Sequence, residues 1–172
     1  MVSESVETVW QGKFITVRKQ GTWEYVGRAR NIQAAVILAV EAGEVLLVEQ
    51  YRVPLGRACI ELPAGLVGDE TEGEAVTVSA ARELEEETGY RPAQIEVIGE
   101  FCSSPGMVSE SFTLVRATGL TRVSDGGGVP GENITVHRVA LATLPEFIAA
   151  KRAEGLAVDV KLLLLLAASI LG

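Results

Sequence analysis

A chain of 172 residues accommodates one core with at most a small appendage, and 48% apolar with 22% charged residues is the composition of a folded globule rather than a disordered segment. A formal net charge of −8 argues against unassisted binding to nucleic acid or to an anionic membrane, because both reward a basic surface. An anionic substrate would then need metal ions and a few well-placed arginines as intermediaries.

The first residues, Met1 to Thr8, carry Glu4 and Glu7 and no basic-then-apolar run, so no secretory signal is expected. Phe14 to Lys19 partly alternates, Gln20-Gly21 marks a turn and Thr22 to Val26 alternates again, which predicts a hairpin. With few apolar residues of its own, it must dock on something larger. Ala34–Val40 and Glu44–Glu49 follow as strands joined across Glu41-Ala42-Gly43. The first is apolar without alternation, as a central strand covered on both faces should be.

Thr71-Glu72-Gly73-Glu74 reads as a capping box, helix formers run from Ala75 to Glu87, and Gly89 and Pro92 stop the helix. Three more strands are expected at Gln94–Phe101, Ser111–Ala117 and Ile134–Ala140. Before the last lies a loop with four glycines, Ser124 to Glu132, of the kind that serves a function or is mobile. His137 falls on the polar face of the last strand. A helix opens at Thr143-Leu144-Pro145-Glu146 and closes at Gly155, and a second runs from Asp159 to Leu171. The leucine-rich stretch from Leu162 is too short for a bilayer, which takes about 20 residues, and reads as a buried or interface helix. Cys59 and Cys102 form no framework pattern and are expected as buried free thiols. These features predict an α/β sandwich with a mixed sheet and helices on both faces, in a cytoplasmic protein.

Glu83, Glu86 and Glu87 lie three and four residues apart and share a helix face, where like charges destabilise a bare helix. A divalent cation reverses that sign. Mg²⁺ takes one or two carboxylates, keeps several waters and completes its shell with substrate phosphates, a demand that Glu83 and Glu87 fit. Such an ion lowers the pKa of bound water and neutralises charge on phosphate oxygens, so no nucleophilic side chain is required. A base is still needed, and Glu132, in the glycine-rich loop, is the candidate. Glu110 is the second, as base or distal metal ligand.

From Gly68 to Gly89 the chain satisfies Gly, five residues, Glu, seven residues, Arg-Glu-Leu-x-Glu-Glu-x-Gly at every fixed position. This resembles the Nudix box, the signature of enzymes that hydrolyse a nucleoside diphosphate linked to another group. The resemblance implies Glu83 and Glu87 as metal ligands, Glu86 as a further ligand or holder of metal-bound water, Arg82 as an orienter of the glutamates, and Glu74 as a peripheral metal residue. It also implies a backbone carbonyl ligand before the box, for which Ala64 is preferred. Mg²⁺ is the expected ion, with Mn²⁺ left open. Glu61-Leu62-Pro63-Ala64-Gly65-Leu66, Ser103-Ser104-Pro105-Gly106-Met107 and Pro105 at sixteen residues past Gly89 are similar to the ADP-ribose and ADP-sugar pyrophosphatase branch. Gln50 to Gly56 resembles its phosphate-contacting segment, which makes Arg52 the best arginine for the diphosphate.

Trp23 to Arg28 resembles the branch element that supplies an adenine-stacking aromatic and often reaches across a homodimer. Trp23 is thereby assigned to adenine and Arg28 to the diphosphate, with Pro105, Gly106, Met107 and Glu110 also on substrate. The division implied is a hairpin element over 1–31, making dimer and adenine contacts, and a Nudix hydrolase domain over 32–172. The resemblance is strongest from Gln50 to Gly106. Two departures stand out: the loop before the box is three residues longer than usual, and Pro130 occupies the position of a second loop carboxylate, leaving Glu132 alone. The expected reaction is hydrolysis of an ADP-sugar to AMP and a sugar phosphate. Hydrolysis of NADH, another dinucleotide or a nucleoside triphosphate, and a non-catalytic ADP-ribose sensor, are the rival readings.

Overall fold

The computed structural model describes residues 5–29, 32–68 and 73–171. Three strands open the chain, β1 (Glu7–Gln11), β2 (Ile15–Gln20) and β3 (Trp23–Arg28), paired antiparallel in the order β1-β2-β3. The predicted hairpin is β2 and β3. The strand that completes its sheet, β1, is exposed along its whole length, so no burial pattern marks it in the sequence. The sheet leans on the rest of the molecule through a bridge between Val26 and Val108, where the Val26 amide donates to the Met107 carbonyl (3.0 Å) and the Ser109 amide to the Val26 carbonyl (2.9 Å).

The main body contains β4 (Gln33–Glu41), β5 (Glu44–Arg52), β6 (Arg57–Glu61), β7 (Ala64–Val67), α1 (Val76–Thr88), β8 (Tyr90–Arg91), β9 (Gln94–Cys102), β10 (Ser111–Thr118), β11 (Thr121–Arg122), β12 (Thr135–Ala140), α2 (Leu144–Ala153), β13 (Ala157–Val158) and α3 (Leu163–Leu171). Its eight-stranded sheet runs β13-β6-β5-β4-β10-β9, with β12 added on β5 and β7 on β4. β10 is parallel to β4 and β13 to β6; the other pairs are antiparallel, so the sheet is mixed as expected.

β4 explains the layering. Ala35, Ile37 and Ala39 point into a core shared with Ala80 and Leu84 of α1, while Val36 points into a second core with Leu144 and Ile148 of α2 and Leu166 of α3. A strand with alternate residues in two cores cannot alternate in polarity, which is why it reads as a continuous apolar run. Fully buried side chains such as Ile37, Leu47, Leu84 and Leu162 contribute about 1.5–3 kcal/mol each. The result is an α/β/α sandwich.

Some local expectations change. The helix begins at Val76 with Ala75 as its cap and no side-chain capping bond, so Thr71-Glu72-Gly73-Glu74 does not open it; Thr71 and Glu72 lie outside the described residues. Instead, the Glu74 carboxylate accepts from the Ser79 hydroxyl. The C-terminal segment starts with a 3-10 turn at Val160–Leu162, capped by the Asp159 carboxylate on the Lys161 amide (2.8 Å), and only then becomes α3. That helix buries a narrow stripe, with Leu163, Leu164, Ile170 and Leu171 exposed. Both thiols are free, but only Cys59 is buried; Cys102 is exposed at the end of edge strand β9. Burial, followed by the nearby Glu61 charge, pushes the Cys59 thiol up to about 12, so it is inert. Among the described residues no helix is long and apolar enough to cross a membrane.

Candidate active site

Burial of Ala80 and Leu84 against β4 fixes the rotation of α1, and that rotation presents Glu83 and Glu87, one turn apart, to a cavity of about 440 Å³. Glu87 is almost enclosed, at 5% exposure, and one of its oxygens accepts the Ala64 amide of β7 at 3.0 Å. Burial pushes the Glu87 carboxyl up to about 8; the Glu83 and Glu132 charges add to the rise, while the Ala64 amide and Arg52 oppose it. Glu83 rests over Gly65, where a Cβ would stand 2.0 Å from the Glu83 carboxyl carbon. The glycine of Pro63-Ala64-Gly65 is therefore needed for close approach of β7 to the helix.

Arg82 gathers the box glutamates. Its Nη1 lies 3.1 Å from Glu83 and 3.3 Å from Glu86, and its Nη2 is 3.8 Å from Glu74. Glu86 accordingly turns toward Arg82 and does not line the cavity.

Glu132 reaches the same cavity from the glycine-rich loop. The loop docks on the end of α1: the Gly127 amide donates to the Glu87 carbonyl (2.9 Å) and the Gly128 amide to the Glu86 carbonyl (3.0 Å). These bonds satisfy carbonyls that a helix C-terminus leaves open. The glycines serve contact here rather than mobility. Gly126 adopts φ +68°, and a Cβ on it would lie 2.4 Å from the Thr88 carbonyl carbon. The loop is closed on itself by the Val129 amide, which donates to the Glu132 carboxylate at 2.9 Å.

The cationic wall comes from Arg52 and Arg28. Arg52 grips Glu61 with Nε and Nη2, at 2.6 and 2.7 Å, in a two-bond fork. Arg28 directs Nε and Nη2 to one oxygen of Glu110, at 2.8 and 2.6 Å. Seven of the residues singled out in the sequence thus meet in one cavity: Arg28, Arg52, Ala64, Glu83, Glu87, Glu110 and Glu132. Pro105, Gly106 and Met107 stand outside it, as does Trp23, which is 62% exposed on the N-terminal sheet.

Gln50, Glu61, Ser103, Phe112 and Lys161 also line the cavity; the first three lie in the segments that carry the resemblance, and none of the five was assigned a role in the site from the sequence. Glu61 carried a usable signal, an acidic residue closing the apolar strand Ala58-Cys59-Ile60 two residues before Pro63. Lys161 carried none. Its ammonium pairs with Asp159 at 2.7 Å and lies 5.6 Å above the Phe112 ring, a placement set by the turn before α3.

Among the described residues no three acidic, histidine or cysteine side chains converge into a closed metal cage. An open pair such as Glu83 and Glu87 suits a hard cation that keeps its waters and draws further oxygens from phosphate. The raised Glu87 carboxyl points the same way, since a buried acid that resists charging alone is ionised by a neighbouring cation.

A family model described as the NUDIX domain matches residues 29–155. The chain is 37% identical over 119 residues to a methanol dehydrogenase activator of Bacillus methanolicus, covering 69% of this chain and 63% of that protein. It is 34% identical over 132 residues to an ADP-sugar pyrophosphatase of Mus musculus, covering 66% and 59%. The chain therefore spans about three-fifths of the length of these relatives. Its fold matches the crystal structure of an ADP compounds hydrolase with a TM-score of 0.68 at 24% identity, over 84% of this chain and 80% of that one. The box glutamates on α1, the mixed sheet that carries them and the match over residues 29–155 together place this chain in the NUDIX domain family.

Proposed function

We propose that this protein hydrolyses the pyrophosphate bond of ADP-ribose or a related ADP-sugar to AMP and a sugar phosphate. The observation that carries the proposal is the meeting of Glu83, Glu87 and Glu132 with Arg52 and Arg28 around one cavity. The likeness to an ADP-sugar pyrophosphatase supports the substrate class. Glu83 and Glu87 would hold a divalent cation, Mg²⁺ or Mn²⁺, assisted by the Ala64 carbonyl, with Glu86 and Arg82 orienting the pair. The bound ion supplies charge neutralisation on the phosphate oxygens and acidification of water.

The protein's own groups do the rest. Arg52 spends two of its five N–H donors on Glu61, so the fork is preoriented and its remaining donors can take diphosphate oxygens. Glu132, one oxygen of which is held by the Val129 amide, presents the other to accept the proton of the attacking water. Water forms the new P–O bond as the bond from phosphorus to the bridging oxygen breaks, and the leaving phosphate departs with its electron pair. The N-terminal sheet is proposed to make dimer and adenine contacts: Trp23, outside its own cavity, would serve the site of a second copy, as would Pro105, Gly106 and Met107 at the sheet's point of docking. Two free thiols favour a reducing, cytoplasmic compartment.

The test is product analysis with ADP-ribose, ADP-mannose, ADP-glucose, NADH and dATP, each with Mg²⁺, Mn²⁺ or EDTA. Metal-dependent AMP release from the ADP-sugars is the expected result. Turnover of dATP or NADH alone would overturn the substrate class, and tight ADP-ribose binding without any product would make the protein a sensor. Glu132→Gln should lower kcat by about 10²–10⁴ with metal affinity retained; an unchanged kcat removes Glu132 from the role of base.

A further inference from the structure

On the Arg28–Glu110 pair borders a second, smaller polar pocket of about 170 Å³, whose walls include Arg18, Gln33, Ser109 and Ser111, with Ile32 as the apolar side. Arg28 and Glu110 line both spaces, so the pair is the partition between them. Nothing in the proposed hydrolysis uses the residues beyond it.

The pocket is unbalanced in charge. Two guanidiniums face one carboxylate, in a chain whose net charge is −8. Arg28, Arg52 and Arg82 are each paired with glutamates, whereas Arg18 has no carboxylate partner among the described residues. Its guanidinium lies across Gly27 of β3, where a Cβ would be 4.0 Å from the guanidinium carbon. The Ser109 hydroxyl has only a long contact to the Val26 carbonyl, at 3.5 Å, and can donate elsewhere. The Ser111 hydroxyl is occupied by Glu100. The donors on offer are thus a guanidinium, the Gln33 amide and one hydroxyl, a set that matches a tetrahedral oxyanion. Ligand cavities for a separate drug-sized molecule measure roughly 300–1,000 Å³. This pocket is too small for a second nucleotide and large enough for one group of a ligand seated next door.

We infer that the Arg18 pocket is a second anion subsite, which binds a phosphomonoester carried by the substrate beyond its diphosphate. The inference rests on the proposed nucleotide-sugar reading of the main cavity. The extra phosphate can sit on the nucleoside ribose or on the distal sugar, and the same chemistry serves both.

The experiment compares ADP-ribose, its 2′-phosphate and its 1″-phosphate, by calorimetric binding in EDTA and by AMP or phospho-AMP release with Mg²⁺. One phosphorylated compound should bind about tenfold more tightly than ADP-ribose, the gain of a charge-assisted hydrogen bond. Which one gains identifies the source of the phosphate. Arg18→Gln should erase that gain while changing ADP-ribose affinity by less than roughly twofold, and Arg18→Lys should keep part of it. Equal binding of all three compounds, or a gain that survives Arg18→Gln, overturns the subsite. A gain lost in Arg18→Gln without product from any compound leaves the subsite standing and removes the hydrolysis. Product from ADP-ribose without any gain does the reverse, and absence of both binding and product for all three overturns both.

Discussion

At the scale of single residues, Gly65 and Glu87 carry the sharpest consequences. A methyl group at Gly65 would collide with the Glu83 carboxylate, the far end of a flexible side chain, so Gly65→Ala can relieve the clash by moving Glu83. Its cost in stability should stay below about 1–3 kcal/mol, the usual range for overpacking, while metal-dependent turnover falls at least about tenfold; calorimetric melting beside a rate assay separates the two. Glu87 gives a pH signature. Its folded carboxyl is pushed up to about 8 from 4.5, so its contribution is fully favourable below the lower value and is lost as pH rises through the upper one. The metal-free protein should therefore melt at progressively lower temperature from pH 5 to pH 9, and Glu87→Gln should flatten that slope. A wild-type slope left unchanged by the substitution would show that burial does not penalise the charged form. The pair itself was legible in the sequence because helical spacing is local. Glu61 was marked only as an acidic end to an apolar strand and Lys161 not at all, because what brings them to the cavity is the pairing of β6 with β5 and the turn that precedes α3.

At the scale of elements, the contact between the glycine-rich loop and α1 is the feature most open to test. Gly126→Ala places a methyl against helix backbone that cannot yield, and adds the cost of a left-handed residue, about 1–2 kcal/mol. Gly131→Ala shares the positive φ, at +106°, but meets nothing within 4 Å. The first variant should melt well below the second and lose more activity, since the loop carries Glu132; equal melting temperatures would mean that the loop is not docked in solution. The long strands β4, β5, β9 and β10 and all three helices could be read from apolar runs and stop signals. β6 and β7 could not, because they flank Pro63 and are held by pairing with distant β5 and β4 rather than by a pattern of their own. The capping-box motif pointed to a start several residues early, because Glu74 found Ser79 and Arg82 instead of the backbone.

For the whole molecule, both tryptophans, Trp10 and Trp23, lie exposed on the N-terminal sheet beside Val9 and Phe14. A sheet that makes the proposed dimer contact would bury such side chains. If the sheet is where two copies meet, acrylamide quenching of tryptophan fluorescence should weaken as protein concentration rises, in step with a light-scattering mass climbing from 18.3 kDa toward twice that value. Quenching that is independent of concentration would free the sheet from that role. The sheet is joined to the main body at Val26 and through the Arg28–Glu110 ion pair, whereas the loop is bonded to the backbone of α1. Glu132 and the box glutamates are tied together by those loop–helix bonds, so under the proposed hydrolysis their mutual geometry rests on α1 and not on the N-terminal strands. Under that proposal, substitutions in the N-terminal strands would change which molecule is admitted while Glu83, Glu87 and Glu132 stay in place, a division of labour that lets one scaffold acquire new specificities without rebuilding its chemistry.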